Sequence, residues 1–537
     1  MRVIKIVALL IATLLIGKQA FAISNTEILA FEEQVLDAKK HLKDLEYETI
    51  ERLIDMLKAE SGTAETIEQI EQLLIESLSV ETRAIWLDSV NMNQLVTREK
   101  IIMLMDELQS MNVNLILADI FGNGHSVFPS KVATQREAFA YFTAEDMVPI
   151  MIEEAHKRGI EFHALASLFG VDSHGITPFI DRIEWFDRTK DGSYLTGIES
   201  FEAFMSPVLS EVREFFMEVI REILAYDIDG LHLDYIRYGR NVGYHPKALE
   251  LYKEAGGDPD NLDSPAEWER FLQFRASFIT SFVDEARIEM QKAKPNLLLS
   301  AAVASNLTYA KREVAQDWED WAKKRLLHLI FHMGYAETSS QYQTAITNDT
   351  GPISDLAISF TGIGLYAVDE AELQTQLQVG QNNPISGQAL FSTVHLLPQK
   401  VETLRNGVWR RPAMPTFRDP QKAAIFMIKN LAERFDSLGV EIGIDRKTNL
   451  EIVTQLLELE AAITACNVRP WDSRNLQEGS SEEYKEIEAV LTKFNALKRP
   501  ISRLEPPTRQ RGLNDLKKAE RLIKVLLHYS KPLETEN

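Results

Sequence analysis

The sequence predicts an α/β fold: a (β/α)8 TIM-like barrel with helical N- and C-terminal extensions. Three features of the chain lead there. From Arg83 onward, short apolar or β-branched runs alternate with amphipathic helices, the pattern of a parallel sheet. Eight such runs fall before Pro420, a number that suits a closed barrel. No glycine-rich phosphate loop follows the first run, which weakens the case for an open dinucleotide-binding sheet.

The expected strands are Ala84–Leu87, Asn114–Ile120, Glu161–Ser167, Gly230–Tyr235, Leu297–Ala304, Leu327–Met333, Asp355–Phe360 and Gln388–Ser392. A helix around Lys100 to Met111 separates the first two. Before the third, Thr143-Ala-Glu-Asp146 reads as a capping box and Gly159 as a helix C-cap. Before the fourth, Val212, Phe215, Phe216, Val219, Ile220, Ile223 and Leu224 form one apolar helix face. A long helix from about Ala266 to Lys292 precedes the fifth and stops ahead of Pro295.

Outside the barrel the periodicity is helical. Residues from about Asn25 to Ser79 read as a helical hairpin or pair, with Leu42, Leu45, Ile50, Leu53, Ile54 and Leu57 at helical spacing. Ala423–Leu438, Leu450–Cys466 and Leu516–His528 are helical by period, and the Pro- and Arg-rich stretch from Arg499 to Arg511 reads as a linker or wrapped loop. The expected division is therefore 1–22, a signal peptide; 23–80, a helical region; 81–420, the barrel; and 421–537, a second helical region. The extensions suit either packing on the barrel or self-association.

Compartment and partner class follow from composition. Arg2 and Lys5 precede the apolar run Ile6–Ile16, and Ala20-Phe21-Ala22 supplies a cleavage site, so export to a periplasm or the exterior is expected. Beyond that run no span of about twenty apolar residues appears, so no integral membrane span is expected after cleavage. Cys466 is the single cysteine, so no intramolecular disulfide can form. With 58 basic and 80 acidic residues the formal charge is −22, which argues against nucleic acid as a partner. The sequence lacks H-E-x-x-H, a cysteine pair and an EF-hand loop, so neither metal nor cofactor is expected. Nor is there a G-x-S-x-G elbow for a serine nucleophile.

The segment richest in chemistry is Tyr226-Asp-Ile-Asp-Gly-Leu-His-Leu-Asp-Tyr-Ile-Arg-Tyr238. Side chains alternate along a strand, so His232 and Asp234 share a side. If that side faces the interior, Asp234 lies at the C-terminal mouth where barrel enzymes keep their sites. Tyr235, Arg237 and Tyr238 then begin the following loop. A carboxylate there, backed by Arg and Tyr, is what oxocarbenium chemistry requires.

This segment resembles the glycosyl-hydrolase-like family ten barrels, whose fourth strand reads approximately DGIHLDYIRYP. Other pieces agree in order: Arg83-Ala-Ile-Trp86, Phe128-Pro-Ser130, Glu153-Glu-Ala-His-Lys-Arg-Gly159, Asp191-Gly-Ser-Tyr194, Gln316-Asp-Trp318, Met333-x-Tyr335 and Gly362-Ile-Gly-Leu-Tyr366. The resemblance spans roughly Arg83 to Pro420. It implies a barrel that hydrolyses glycosidic bonds of a polysaccharide or oligosaccharide, some relatives working on cell-wall glycans. It implies Asp234 as nucleophile or base, and Glu337, at the end of Met333-Gly-Tyr-Ala-Glu337, as general acid, with Tyr335 on the same face. His232, either a polar core residue or a substrate contact, joins Tyr235, Arg237, Asp88, Asp119 and Tyr366 as candidate cleft residues. Asp88 and Asp119 also read as cap or loop residues, and Trp185, Trp318 and Trp409 as sugar platforms or core. After strand two this chain has Phe121-Gly-Asn-Gly-His125 where the family tends to have Arg then an acid. That difference leaves a second reading open, a non-catalytic glycan-binding or envelope-scaffold barrel.

Overall fold

The structure is a computed structural model that describes residues 24–59, 61–143, 145–172, 176–196, 203–471 and 479–532. Residues 1–22, read as a signal peptide, lie outside the described residues. Eight parallel strands form the barrel: β1 (Thr82–Leu87), β2 (Leu115–Gly122), β3 (Glu161–Ser167), β4 (Gly230–Asp234), β5 (Leu298–Ala304), β6 (Leu329–Met333), β7 (Ile358–Gly364) and β8 (Gly387–Phe391). Each pairs with its sequence neighbour, and β1 closes the ring by pairing with both β2 and β8.

Alternation along the strands fills the interior. Ala84 and Trp86 of β1, Leu115 and Leu117 of β2, Leu165 of β3, Phe331 of β6, Phe360 of β7 and Ala389 of β8 share one buried cluster. The opposite faces of these strands join a second cluster with the surrounding helices, including Phe215, Phe216 and Ile220 of the helix Ser210–Ile223. Gly230 opens β4 because a Cβ there would meet the His163 ring at 2.7 Å.

Several elements differ from expectation. The seventh strand starts at Ile358, three residues past the expected Asp355, and runs on to Gly364. A 3-10 turn at Gly351–Ile353 and the turn that follows it at 354–356 take up the expected start of the strand. Its glycines belong to the sheet because larger residues would not fit: a Cβ on Gly362 would meet the Tyr335 ring at 2.8 Å, and one on Gly364 would meet Tyr366 at 3.0 Å. The capping box before β3 does not form. Asp146 Oδ1 accepts from Val148 N, while Thr143 Oγ1 donates to Phe139 O. Gly159 does adopt φ +69° beyond its helix.

The N-terminal pair is three helices, Asn25–Lys40, Tyr47–Lys58 and Ala64–Leu73. Arg499–Arg511 is not a linker: it is the end of a helix at Ser481–Ile501, a turn, and the start of a helix at Thr508–Ser530. With Pro420–Leu438 and Arg446–Ala465 these build a C-terminal helical bundle.

That bundle closes one end of the barrel. Phe417, Ala424, Phe435, Phe494 and Ile523 belong to the same cluster as the strand interiors, and Phe417 packs edge-on against His163 and Phe360. The strand starts are tied to the same side: Thr82 Oγ1 meets Thr416 Oγ1 at 2.7 Å, and Arg418 grips both oxygens of Glu161. The plugged end is therefore the N-terminal one, and the C-terminal ends of the strands remain to form a site. The extensions thus pack on the barrel. Among the described residues no helix is long and apolar enough to cross a membrane.

Candidate active site

Inward-facing positions at the strand ends set the site. Asp119 has the same parity as Leu115 and Leu117, Ser167 the same as Leu165, and Asp234 the same as His232. Ser167 and Asp234 are register partners. A cavity of about 520 Å³ opens over β2 and β3, lined by Asp119, Asn123, His125, Arg136, Ser167 and Asp172.

Asp234 is partly buried, and burial pushes its carboxyl up to about 6. The Tyr235 backbone N–H, 2.7 Å from its Oδ1, and the Arg237 charge pull it down, while the charge of Asp119 pushes it up. Tyr235 itself adopts φ +46°, a conformation that non-glycine residues rarely hold, and its carbonyl accepts from Arg237 N two residues on. The chain thus reverses sharply just past the carboxylate and folds its own amide back onto it. Arg237 is not ion-paired with Asp234. Its Nη1 donates to Tyr238 O, and its guanidinium lies over the Tyr235 and Phe204 rings.

Asp119 is held differently. Arg136 Nη2 donates to its Oδ1 at 2.7 Å, with both side chains largely buried. Space for this pair comes from Gly122, where a Cβ would meet Asp119 Oδ1 at 2.8 Å and Arg136 Nη2 at 3.1 Å. Beyond Gly122 the chain turns through Asn123 (φ +57°) and Gly124 (φ +74°) into a tight hairpin that pairs Gly122 with His125. Asn-Gly is the strongest short signal for such a turn. Neither this turn nor Arg136 is among the expected site features. Asn123 also exchanges hydrogen bonds with Asp172, its Nδ2 donating to Asp172 Oδ1 at 2.5 Å and its Oδ1 accepting from Asp172 N at 2.7 Å.

The opposite wall is aromatic. Tyr335 stacks on Phe391 at 5.1 Å and meets Trp86 and Tyr366 edge-on. Burial, then the charge of Asp234, raises its phenol well above the ordinary range, so it stays neutral. Tyr366 is 55% exposed and forms the rim with His395.

The other candidates have different surroundings. His232 is fully buried below Asp234, bonded to Ser300 Oγ at 2.8 Å and ringed by Trp86 and Phe331, and burial holds its pKa far below the ordinary value. Asp88 caps the helix Ser89–Met92, and its other oxygen accepts from Thr393 Oγ1 and Val394 N, so both oxygens serve structure. Glu337 is exposed at the head of the helix Ser339–Thr350, its backbone N–H donating to Gln341 Oε1. The carboxylate whose charge acts on Asp234 is Asp119. Trp318 and Trp409 are core residues, and Trp185 is half-buried among Phe179, Phe215 and Arg182.

A parallel eightfold barrel, plugged at one end and acidic at the other, is the frame on which many sugar-cleaving enzymes are built. The chain belongs to the family described as Glycosyl hydrolase-like 10, which it matches over residues 81–378. It is 25% identical over 206 residues to glycosyl hydrolase YngK of Bacillus subtilis, covering 35% of this chain and 39% of that one. It is 22% identical over 221 residues to glycosyl hydrolase DigH of Escherichia coli, covering 36% and 47%. The chain thus matches less than half the length of these relatives. Among solved structures, the glycoside hydrolase domain of PgaB (BpsB) from Bordetella bronchiseptica aligns with a TM-score of 0.48 and 11% identity, over 61% of this chain and 99% of that domain.

Proposed function

We propose that the protein hydrolyses glycosidic bonds of an extracytoplasmic polysaccharide, with peptidoglycan glycan strands as the first candidate substrate. The observation that carries this reading is two inward carboxyl groups at the strand ends in different surroundings, Asp119 bonded to Arg136 and Asp234 shifted upward chiefly by burial. Asp234, raised to about 6, is suited to give a proton, and Asp119, with Arg136 bonded to one oxygen, is the partner carboxylate we assign to the water. Asp234 is thereby read as the acid rather than the nucleophile or base expected from the family resemblance. Strand β3 stands between the two, which puts them roughly 10 Å apart across the sheet, and Asp119 lies level with Leu165 but Asp234 with Ser167, two residues further along. Inward side chains from such positions suit the wider separation of about 6.5–9.5 Å that leaves room for a water and gives inversion.

The steps follow from these groups. Asp234 protonates the departing glycosidic oxygen as the C–O bond breaks. Asp119 takes a proton from the water that adds to the opposite face of the anomeric carbon. Tyr335 and Tyr366 offer apolar faces to a sugar ring. Export is supported by the charged start and apolar run of residues 2–16.

The test is incubation of the full chain and its Asp234→Asn, Asp119→Asn and Glu337→Gln variants with a glycan panel that includes peptide-free peptidoglycan. New reducing ends from wild type and Glu337→Gln, with at least a hundredfold loss in the two Asp variants, is the expected result. No product from wild type overturns the enzymatic reading in favour of a glycan-binding barrel.

A further inference from the structure

A second cavity, of about 620 Å³, lies on the other side of β4 from the Asp119 cavity. The loops following β3 (189–196) and β4 (241–244) wall it, together with Trp268 and Arg275 from the helix Pro265–Ala293 and Arg312 beyond β5. It therefore sits at the same end of the barrel as Asp234.

Arg275 is the unusual member. Its residue is 3% exposed, it lines the cavity, and neither its Nε nor its Nη2 makes a hydrogen bond. A buried guanidinium with unused donors is costly unless something accepts from it. The fold holds it in place: its plane lies 4.6 Å over the Tyr238 ring, and a Cβ on Gly243 (φ +123°) would meet its Nε at 2.5 Å. The acid whose charge bears on it, Asp187, spends its Oδ1 on the backbone N–H groups of Arg188 and His245, and its Oδ2 makes no bond to Arg275 or any other group. The acids in the lining do not reach it either. Asp191 accepts from Thr189 Oγ1 and Ser193 N in its own turn, and Glu313 is exposed. Lys190 and Arg312 add positive charge at the rim, each shared with an outer acid, Asp263 or Glu269. Half-exposed Trp268 and Tyr244 supply ring faces.

We infer that this cavity is a subsite for a sugar ring bearing a carboxylate, the carboxylate accepting from Arg275 and the ring lying against Trp268 or Tyr244. An Arg fork matches a carboxylate in geometry as well as charge, and aromatic faces match the apolar side of a sugar ring. In a protein with a formal charge of −22, a cavity with a free buried cation selects for anions locally. The inference rests on the glycosidase reading for its biological meaning, but not for its test.

The test measures binding alone, by calorimetry on the full-length Asp234→Asn chain, with two matched probe pairs: N-acetylmuramic acid against N-acetylglucosamine, and glucuronate against glucose. The acidic member of at least one pair is expected to bind about tenfold more tightly, with the preference fading as salt rises and absent in Arg275→Gln. Because Arg275 is buried, Arg312→Gln and Trp268→Ala are measured beside it, and each is expected to weaken the acidic probe severalfold; Arg312→Gln, which removes only an exposed pair with Glu269, is expected to do so without changing the melting temperature. Equal binding within both pairs, or a preference that survives all three substitutions, overturns the subsite. If the preference is found while wild type cleaves nothing, the subsite stands and the glycosidase reading falls. If cleavage occurs without preference, the reverse holds.

Discussion

Arg136 Nη2 donates to Asp119 Oδ1 at 2.7 Å, in the space that Gly122 leaves by lacking a side chain. Two strands away, the charge of Asp119 adds to the larger effect of burial in raising the Asp234 carboxyl. The two carboxyl groups thus sit in different surroundings, one with a guanidinium bonded to it and the other shifted chiefly by burial.

Removing the Asp119 charge should lower the Asp234 pKa. In Asp119→Asn the lesser of the two effects that raise Asp234 is lost and burial remains, while the Tyr235 N–H and Arg237 still favour the ionised form. Carbon NMR titration of the Asp234 carboxyl is expected to move from about 6 toward lower pH. No movement would show that the two carboxyls do not interact.

Asp234 should reduce stability at neutral pH. Its folded pKa lies above the unfolded value of about 3.9, so between roughly pH 4 and 6 the folded state holds a proton the unfolded state has lost, and stability falls as pH rises through that window. Asp234→Asn removes this loss. Because the side chain keeps some contact with solvent, urea unfolding should show the variant about 1–2 kcal/mol more stable than wild type at pH 7 and little different at pH 4. Equal stability at both pH values would contradict the burial of this carboxyl.

If Asp234 and Asp119 act as a pair across β3, hydrolysis proceeds with inversion. Proton NMR of the first product formed from a substrate of defined anomeric configuration should show the opposite anomer. A retained anomer would point to a closer second carboxylate.

Gly362→Ala should disturb the mouth rather than the barrel frame. The added methyl meets the Tyr335 ring at 2.8 Å and the His332 carbonyl at 3.1 Å, so Tyr335 must leave its place against Phe391. A loss of about 1–3 kcal/mol in stability, with a rise in KM, is expected. An unchanged KM would remove Tyr335 from the sugar-facing wall.

Arg511 holds the N-terminal helices to the C-terminal bundle. It grips both oxygens of Glu76 at 2.7 Å and also pairs with Asp515, and all three side chains are buried. Arg511→Met leaves buried Glu76 without its guanidinium partner, while Asp515 keeps Arg434, and should cost about 3–5 kcal/mol in urea unfolding. Lys292→Met, which removes only an exposed pair with Glu289, should cost well under 1 kcal/mol.

The barrel was legible because its signal is local and repeated. Each strand is a short apolar run, each helix an amphipathic one, and DGLHLDYIRY places the inward Asp234 by simple alternation. Signals that conflict with local preference misled. Gly362 and Gly364 read as loop because glycine is poor in strands, yet packing against two tyrosines requires them there. The Pro-rich run before Arg511 read as a linker, yet Pro500 sits inside the last turn of a helix.

By itself the sequence determined the alternating architecture, the helical extensions and the inward face of β4, since these depend on periodicity and on the spacing of neighbours along the chain. Only the tertiary structure decided that the charge of Asp119 bears on Asp234, that Arg136 bonds to Asp119, that Asp88 caps a helix and that Glu337 is exposed. Those outcomes depend on groups far apart in sequence and close in space, where burial and charge act through distance, and no periodicity records them.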